Sequence, residues 1–367
     1  VASYLGFMVT IVLLSFRFRR IGAESGALTI PDWIGRRYGS PGYALFFAVA
    51  NLLAFAFVVL LVGGISIVMQ QLLGIGNTEA LLITLVFVTG YVFVGGPYAH
   101  VFTNMLQGSL MIVVAVVVLG SGLPLLFQSE PSFADAITAQ GEHLLSPVNP
   151  DGALFNNVFS IYVAGFLVGA AVVCQPHILT KALYVKSDRA VARYLIVLAV
   201  ALAVFLLLGT VGFFARISVP SEQLIDTATG AFRQDLVMTM YLKNAFPDWM
   251  FTCISVVLLA AAMSTLDGLL VGLSTITAND LLLNLAKRYG RGRSHEEQMA
   301  WAYKASHVVL VVIAVAAFAV LRNPPQLLGI FGQVGVYGLV LGTMPPLLAG
   351  VWFKRVPVPY THRTPPP

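Results

Sequence analysis

Charge is what this chain has least of. Only 10% of its 367 residues are Asp, Glu, Lys or Arg, against about 25% in a soluble domain. A water-soluble fold of this length would lack polar surface to cover itself, so that class is excluded. Cysteine is scarce too. Cys174 and Cys253 are the only two, both lie inside apolar stretches, and no disulfide framework is suggested. HExxH, the P-loop, GxSxG and CxxC do not occur. The six histidines (His100, His143, His177, His295, His307 and His362) are scattered without metal-ligand spacing. An enzyme is not indicated.

What the chain has instead is apolar length. Hydrophobic residues make up 58% of it. A bilayer-spanning helix needs about 20 mostly apolar residues. Nine such stretches occur, near 1–18, 42–70, 79–96, 100–124, 156–180, 191–214, 249–281, 301–321 and 326–353. Strand alternation of the barrel type is absent. The expectation is an all-α polytopic membrane protein, with tilted or broken helices where a stretch is too long for one crossing. Residues 1–355 form one transmembrane domain, and residues 356–367 an irregular tail, read as a truncated end or a translation artefact.

The positive net charge is explained by topology. Seventeen of the 21 Lys and Arg follow spans one, five, seven and nine. The other four share the alternate loops with nine acids. The positive-inside rule then puts the first residue outside and the last in the cytoplasm. Nine spans have the odd parity this requires. The chain starts without Met inside an apolar helix and reads as a fragment.

Between spans, Thr29 and Asp32 are spaced as a capping box with Pro31 in the first turn, predicting a short helix at the cytoplasmic surface. Gly95, Gly96 and Pro97 predict a tight turn joining spans three and four. Asp248 is expected to cap span seven, with Trp249 in the aromatic belt.

The polar residues inside spans carry the functional reading. On a helix, Ala261, Ser264, Thr265 and Gly268 share one face. Two hydroxyls and a carbonyl would supply about half an oxygen shell for a small hard cation such as sodium. The plainer reading is that both hydroxyls bond carbonyls of their own helix. Asp267 points off that face; a mid-membrane carboxylate suggests a cavity lining, or an accessory ion or proton site. Asp280, near the inner end of the span, reads as solvated or capping. Gln175 and His177 flank Pro176, which predicts a broken helix exposing polar groups at depth, or an ordinary proline kink. Asn51, Asn104 and Gln107 are placed to line a polar pathway or to bond between helices.

Four stretches, "ALTIPDWIGRRYGS", "GGPYAHVFTNMLQGSLM", "CQPHILTKAL" and "LLAAAMSTLDGLLVGLSTITANDL", resemble the bacterial sodium:solute symporter family, nearest to its proline and pantothenate permeases. The resemblance implies a LeuT-type core of five plus five inverted helices, with the nine spans as core helices two to ten. It places sodium on Ala261, Ser264 and Thr265 and a polar substrate contact at Gln175, with His177 close by. The first core helix, which implies the rest of the sodium shell, is missing, so this chain is expected not to transport alone. The family often has an aspartate where Asn104 stands, which puts an accessory cation there in doubt. The implied activity is sodium-driven symport of a small organic solute, such as an amino acid or carboxylate, across a bacterial inner membrane. No organic cofactor and no nucleic acid is involved. Two alternatives stand beside it: the membrane domain of a sensor, and a symporter coupled to protons through Asp267. A channel fits least, since no filter-like ring is evident.

Overall fold

The computed structural model describes residues 1–25, 27, 29–150, 156–179, 182, 187–225, 230, 232–285, 295–325 and 327–353. The tail and most of the basic residues after span seven lie outside them. Thirteen helices position the site: α1 (Ala2–Ser25), α2 (Ile30–Tyr38), α3 (Pro41–Ala50), α4 (Phe55–Leu73), α5 (Asn77–Ser121), α6 (Gly165–Val172), α7 (Pro176–Leu179), α8 (Asp188–Leu207), α9 (Val211–Ser218), α10 (Val237–Ala245), α11 (Asp248–Thr275), α12 (His295–Leu321) and α13 (Leu328–Trp352). Among the described residues, the one extended pairing is an isolated bridge between Ile225 and Phe232.

Eight helical stretches are long and apolar enough to cross a bilayer, and Phe159–Val172 is a shorter apolar helix. Together they match the nine expected stretches. The outer faces carry large apolar side chains, such as Val86, Leu106, Val197 and Val308, each more than 60% exposed. A contiguous surface of that kind suits hydrocarbon, not water.

The expected breaks are present. A 3₁₀ stretch, Asn51–Ala54, separates α3 from α4 inside span two. A π-helical stretch, Ile276–Leu282, continues α11. Such irregularities recur at functional sites. In α13, Pro345 and Pro346 stand in succession. α2 forms as the capping pattern predicts. The Thr29 hydroxyl accepts from the Asp32 amide, and Gly39 ends the helix at φ +62°, a left-handed conformation that favours glycine.

Two local expectations fail. Asp248 is the first residue of α11, and no side chain caps that end. Where a tight turn is expected, at Gly95–Pro97, helical hydrogen bonding continues from Asn77 to Ser121. Straight, such a helix would be about 67 Å long, twice a bilayer core. Yet Asn77 bonds the Leu321 carbonyl, and Leu72, just before it, packs on the cluster containing Val118. The chain therefore reverses within α5 and returns to the side it came from.

Three apolar clusters hold the fold. The largest lies among α4, the first half of α5, α11, α12 and α13. A second joins α1, α2, the α6–α7 break, α8 and the end of α13, with Trp33 fully buried. A third sits among the end of α5, α9, α10 and the start of α11. α1 and α6 touch backbone to backbone. A methyl added at Gly6 would stand 2.1 Å from the Phe166 carbonyl oxygen. Small residues allow such approach where lipid gives no hydrophobic incentive to associate.

Candidate functional site

The middle of α11 carries the polar cluster. Ser264 Oγ donates to the Ala261 carbonyl at 2.7 Å, and Thr265 Oγ1 reaches the same oxygen at 3.5 Å. Three oxygens thus converge on one face, by the intrahelical bonding the plainer reading anticipates. Each hydroxyl spends its proton on the carbonyl and keeps lone pairs for another partner. Ala261 is buried; Ser264 and Thr265 are half-buried.

Asp267 faces elsewhere, as the helical spacing predicts. It is buried, and the Tyr91 side chain from α5 is its hydrogen-bond partner. The Tyr91 hydroxyl also approaches the Met263 carbonyl at 3.3 Å. Tyr91 therefore bridges two successive turns of α11, on a face separate from the hydroxyl cluster.

The helix break expected near Pro176 is present. α6 ends at Val172, Val173–Gln175 form a turn, and α7 begins at Pro176. The turn is tight, with Cys174 N bonding Ala171 O at 2.8 Å and Gln175 N bonding Val172 O at 3.1 Å. It aims Gln175 and His177 into a narrow cleft, lined also by Asn51, Ala54, Gly268, Leu269, Gly272, Leu273 and Leu339. Three of the four residues expected to contact solute meet there, Gln175 and His177 from the α6–α7 break and Asn51 from the 3₁₀ stretch. Gln175 and Asn51 are buried. Asn51 Nδ2 approaches Phe47 O at 3.3 Å on its own helix. His177 stacks on Phe57 of α4, centroids 6.2 Å apart.

Gly268 joins the two features. It shares the face of Ser264 and Thr265 and lines the cleft one turn further on. Gln107 and Asn104, on the second half of α5, are not among the residues lining the cleft.

Sequence reasoning missed three participants. Gly272 was legible, because Gly268 and Gly272 form a small-xxx-small pair. Tyr91 and Phe57 carried no such signal. Asp280 departs from expectation outright: it is buried, and it accepts from the Thr29 hydroxyl at 2.7 Å.

Comparisons with known proteins decide the family. A profile described as Sodium:solute symporter family matches residues 1–358. The chain belongs to the sodium:solute symporter family. The sodium/pantothenate symporter of Haemophilus influenzae is 27% identical over 350 residues, covering 93% of this chain and 67% of that protein. The sodium/proline symporter of Escherichia coli is 25% identical over 346 residues, covering 91% of this chain and 64% of that protein. The chain thus spans about two thirds of the length of these relatives. A Na⁺-coupled sialic acid symporter, solved in a substrate-bound outward-open state, superposes with a TM-score of 0.71 at 16% identity, over 96% of this chain and 72% of that one.

The fold is accordingly the LeuT type expected from the four sequence stretches. The chain is a multi-pass membrane protein of a transporter family, not an enzyme. Sodium-coupled symport of a small solute is the function that membership carries, with sodium as the coupling ion.

Proposed function

We propose that Ala261, Ser264 and Thr265 form one wall of the sodium site of this symporter, and that the cleft at Gln175, His177 and Asn51 takes the polar part of a small organic solute. The reading rests on the convergence of two hydroxyls on one carbonyl, one helical turn from a cleft that collects polar groups from the α6–α7 break and from Asn51. A bound sodium ion takes lone pairs from all three oxygens, and the facing wall completes its shell. Because ion and solute sit beside the same glycine, ordering one site orders the other, and each raises the other's affinity by the same factor. An inward-directed membrane potential contributes about 2.3 kcal/mol per charge per 100 mV. The basic clusters orient the protein in a cytoplasmic membrane with the α1 start outside and the α13 end inside.

Uptake of a panel of radiolabelled amino acids and carboxylates by the complete protein, with and without sodium, identifies the solute. Replacing Ser264 and Thr265 by Ala together raises the half-saturating sodium concentration at least about tenfold, the equivalent of about 1.4 kcal/mol. An unchanged sodium dependence defeats the assignment.

A second reading is favoured by one observation: Asp267 is buried in mid-span against a tyrosine. A carboxylate there is suited to carry a coupling proton or accessory cation. Uptake in sodium-free buffer at acid pH, lost in Asp267→Asn, supports the proton role; no uptake without sodium removes that role.

A further inference from the structure

Asp280 stands apart from the hydroxyl cluster and the cleft. It lies in the π-helical continuation of α11 and is buried. Its carboxylate accepts from Thr29 Oγ1 at 2.7 Å, and its backbone carbonyl accepts from Asn284 Nδ2 at 2.9 Å. Thr29 does two jobs with one hydroxyl. The oxygen caps α2 by accepting from the Asp32 amide at 3.1 Å, and the proton goes to Asp280.

α2 is fastened at its other end to α13. Arg37 donates to the carbonyls of Gly350 and Phe353, both at 2.6 Å. The Tyr38 hydroxyl donates to the Pro346 carbonyl at 2.7 Å. Burial pushes the Tyr38 phenol above its ordinary range. Gly350 makes room for Trp33, whose ring would stand 2.9 Å from a methyl there. The short helix is therefore a tie between two spanning helices. Its joint to α13 is several bonds deep, and a hydrogen bond from Thr29 to Asp280 joins it to the continuation of α11.

We propose that Asp280 is a positioning residue for the ion helix: through Thr29 it moors the far end of α11 to α2, and so to α13, holding the arrangement in which sodium binds. The proposal rests on the reading of Ala261, Ser264 and Thr265 as sodium ligands. Asp280 is about 22 Å along the helix from Thr265. A rigid segment released at one end tilts at the other. Release favours states open at the Asp280 end, and the fraction competent to bind sodium from the opposite side falls. Apparent affinity falls by the same factor.

The test separates capping from mooring. Thr29→Asp keeps a capping acceptor for α2, lacks the donor and sets a second carboxylate against Asp280. Thr29→Ser keeps both functions, and Asp280→Ala removes the acceptor. Each is made in the whole protein and assayed for sodium-dependent solute uptake, with membrane abundance measured alongside. Thr29→Asp and Asp280→Ala raise half-saturating sodium about three- to tenfold, with a smaller change in maximal rate; Thr29→Ser stays within about twofold. Unaltered sodium dependence in Thr29→Asp and Asp280→Ala overturns the proposal. So does failure of both to accumulate while Thr29→Asn, which retains cap and donor, accumulates and transports normally, since the contact then serves folding alone. Should the Ser264 and Thr265 substitutions leave sodium dependence intact while Thr29→Asp alters it, the mooring stands and the ligand assignment falls.

Discussion

Gly169 of α6 lies against Ser3 of α1 so closely that a methyl group on it would stand 1.9 Å from the Ser3 carbonyl oxygen. Backbone opposes backbone, so no flexible side chain can yield. Gly169→Ala is expected to cost about 1–3 kcal/mol or more through overpacking. Gly64→Ala is the control: nothing lies within 4 Å of the added methyl, and helix propensity favours it by up to about 1 kcal/mol. Thermal denaturation in detergent should lower the midpoint for Gly169→Ala and leave Gly64→Ala equal or higher. Equal midpoints would disprove close α1–α6 packing.

The cleft makes a discriminating prediction about polar residues. Gln175→Leu and Asn51→Leu should raise the solute concentration for half-maximal uptake about tenfold or more, because a buried polar contact to solute is lost. Gln107→Leu, away from the cleft lining, should leave that value within about twofold. The reverse order would move the solute site onto the second half of α5.

Tyr91 and Asp267 should behave as a coupled pair. Tyr91→Phe removes the phenolic donor but keeps the ring. A double-mutant cycle with Asp267→Asn, read by thermal stability, is expected to give a coupling energy of about 0.6–2 kcal/mol. Additive effects would show that the two side chains do not support each other.

Gly272 lines the cleft and has open space where a side chain would begin. Gly272→Ala should therefore fold normally and narrow the cleft. Uptake of bulkier solutes should fall more steeply than uptake of the smallest accepted one. A uniform loss across the panel would mean the methyl disturbs helix packing instead.

Much of this architecture could be read from residue order. The apolar stretches gave spans within a few residues, because hydrocarbon leaves the backbone few choices. Thr29, Pro31 and Gly39 marked α2 through local capping chemistry, and Pro176 marked the break that aims Gln175 and His177. The failures share a cause as well. Gly95–Pro97 read as a turn because that rule belongs to water, where exposed backbone finds partners; in a bilayer helical hydrogen bonding carries on through them. Asp280 read as solvated because nothing near it in sequence shows that Thr29, 251 residues earlier, arrives beside it. Tyr91 is likewise defined by a partner on another helix. Chemistry carried along one helix was legible; chemistry made by two meeting helices was not.

Pro345 and Pro346 have a mechanical consequence. Neither has an amide proton, so the carbonyls of Leu341 and Gly342 are deprived of the donors a regular α13 would give them. Flexing at that point forfeits two fewer backbone bonds than in a regular helix. Just beyond it, Tyr38 grips the Pro346 carbonyl and Arg37 grips Gly350 and Phe353. The helix is thus anchored at its tip and jointed immediately above, so its long arm, which carries Leu339 to the cleft, can swing while its foot stays planted.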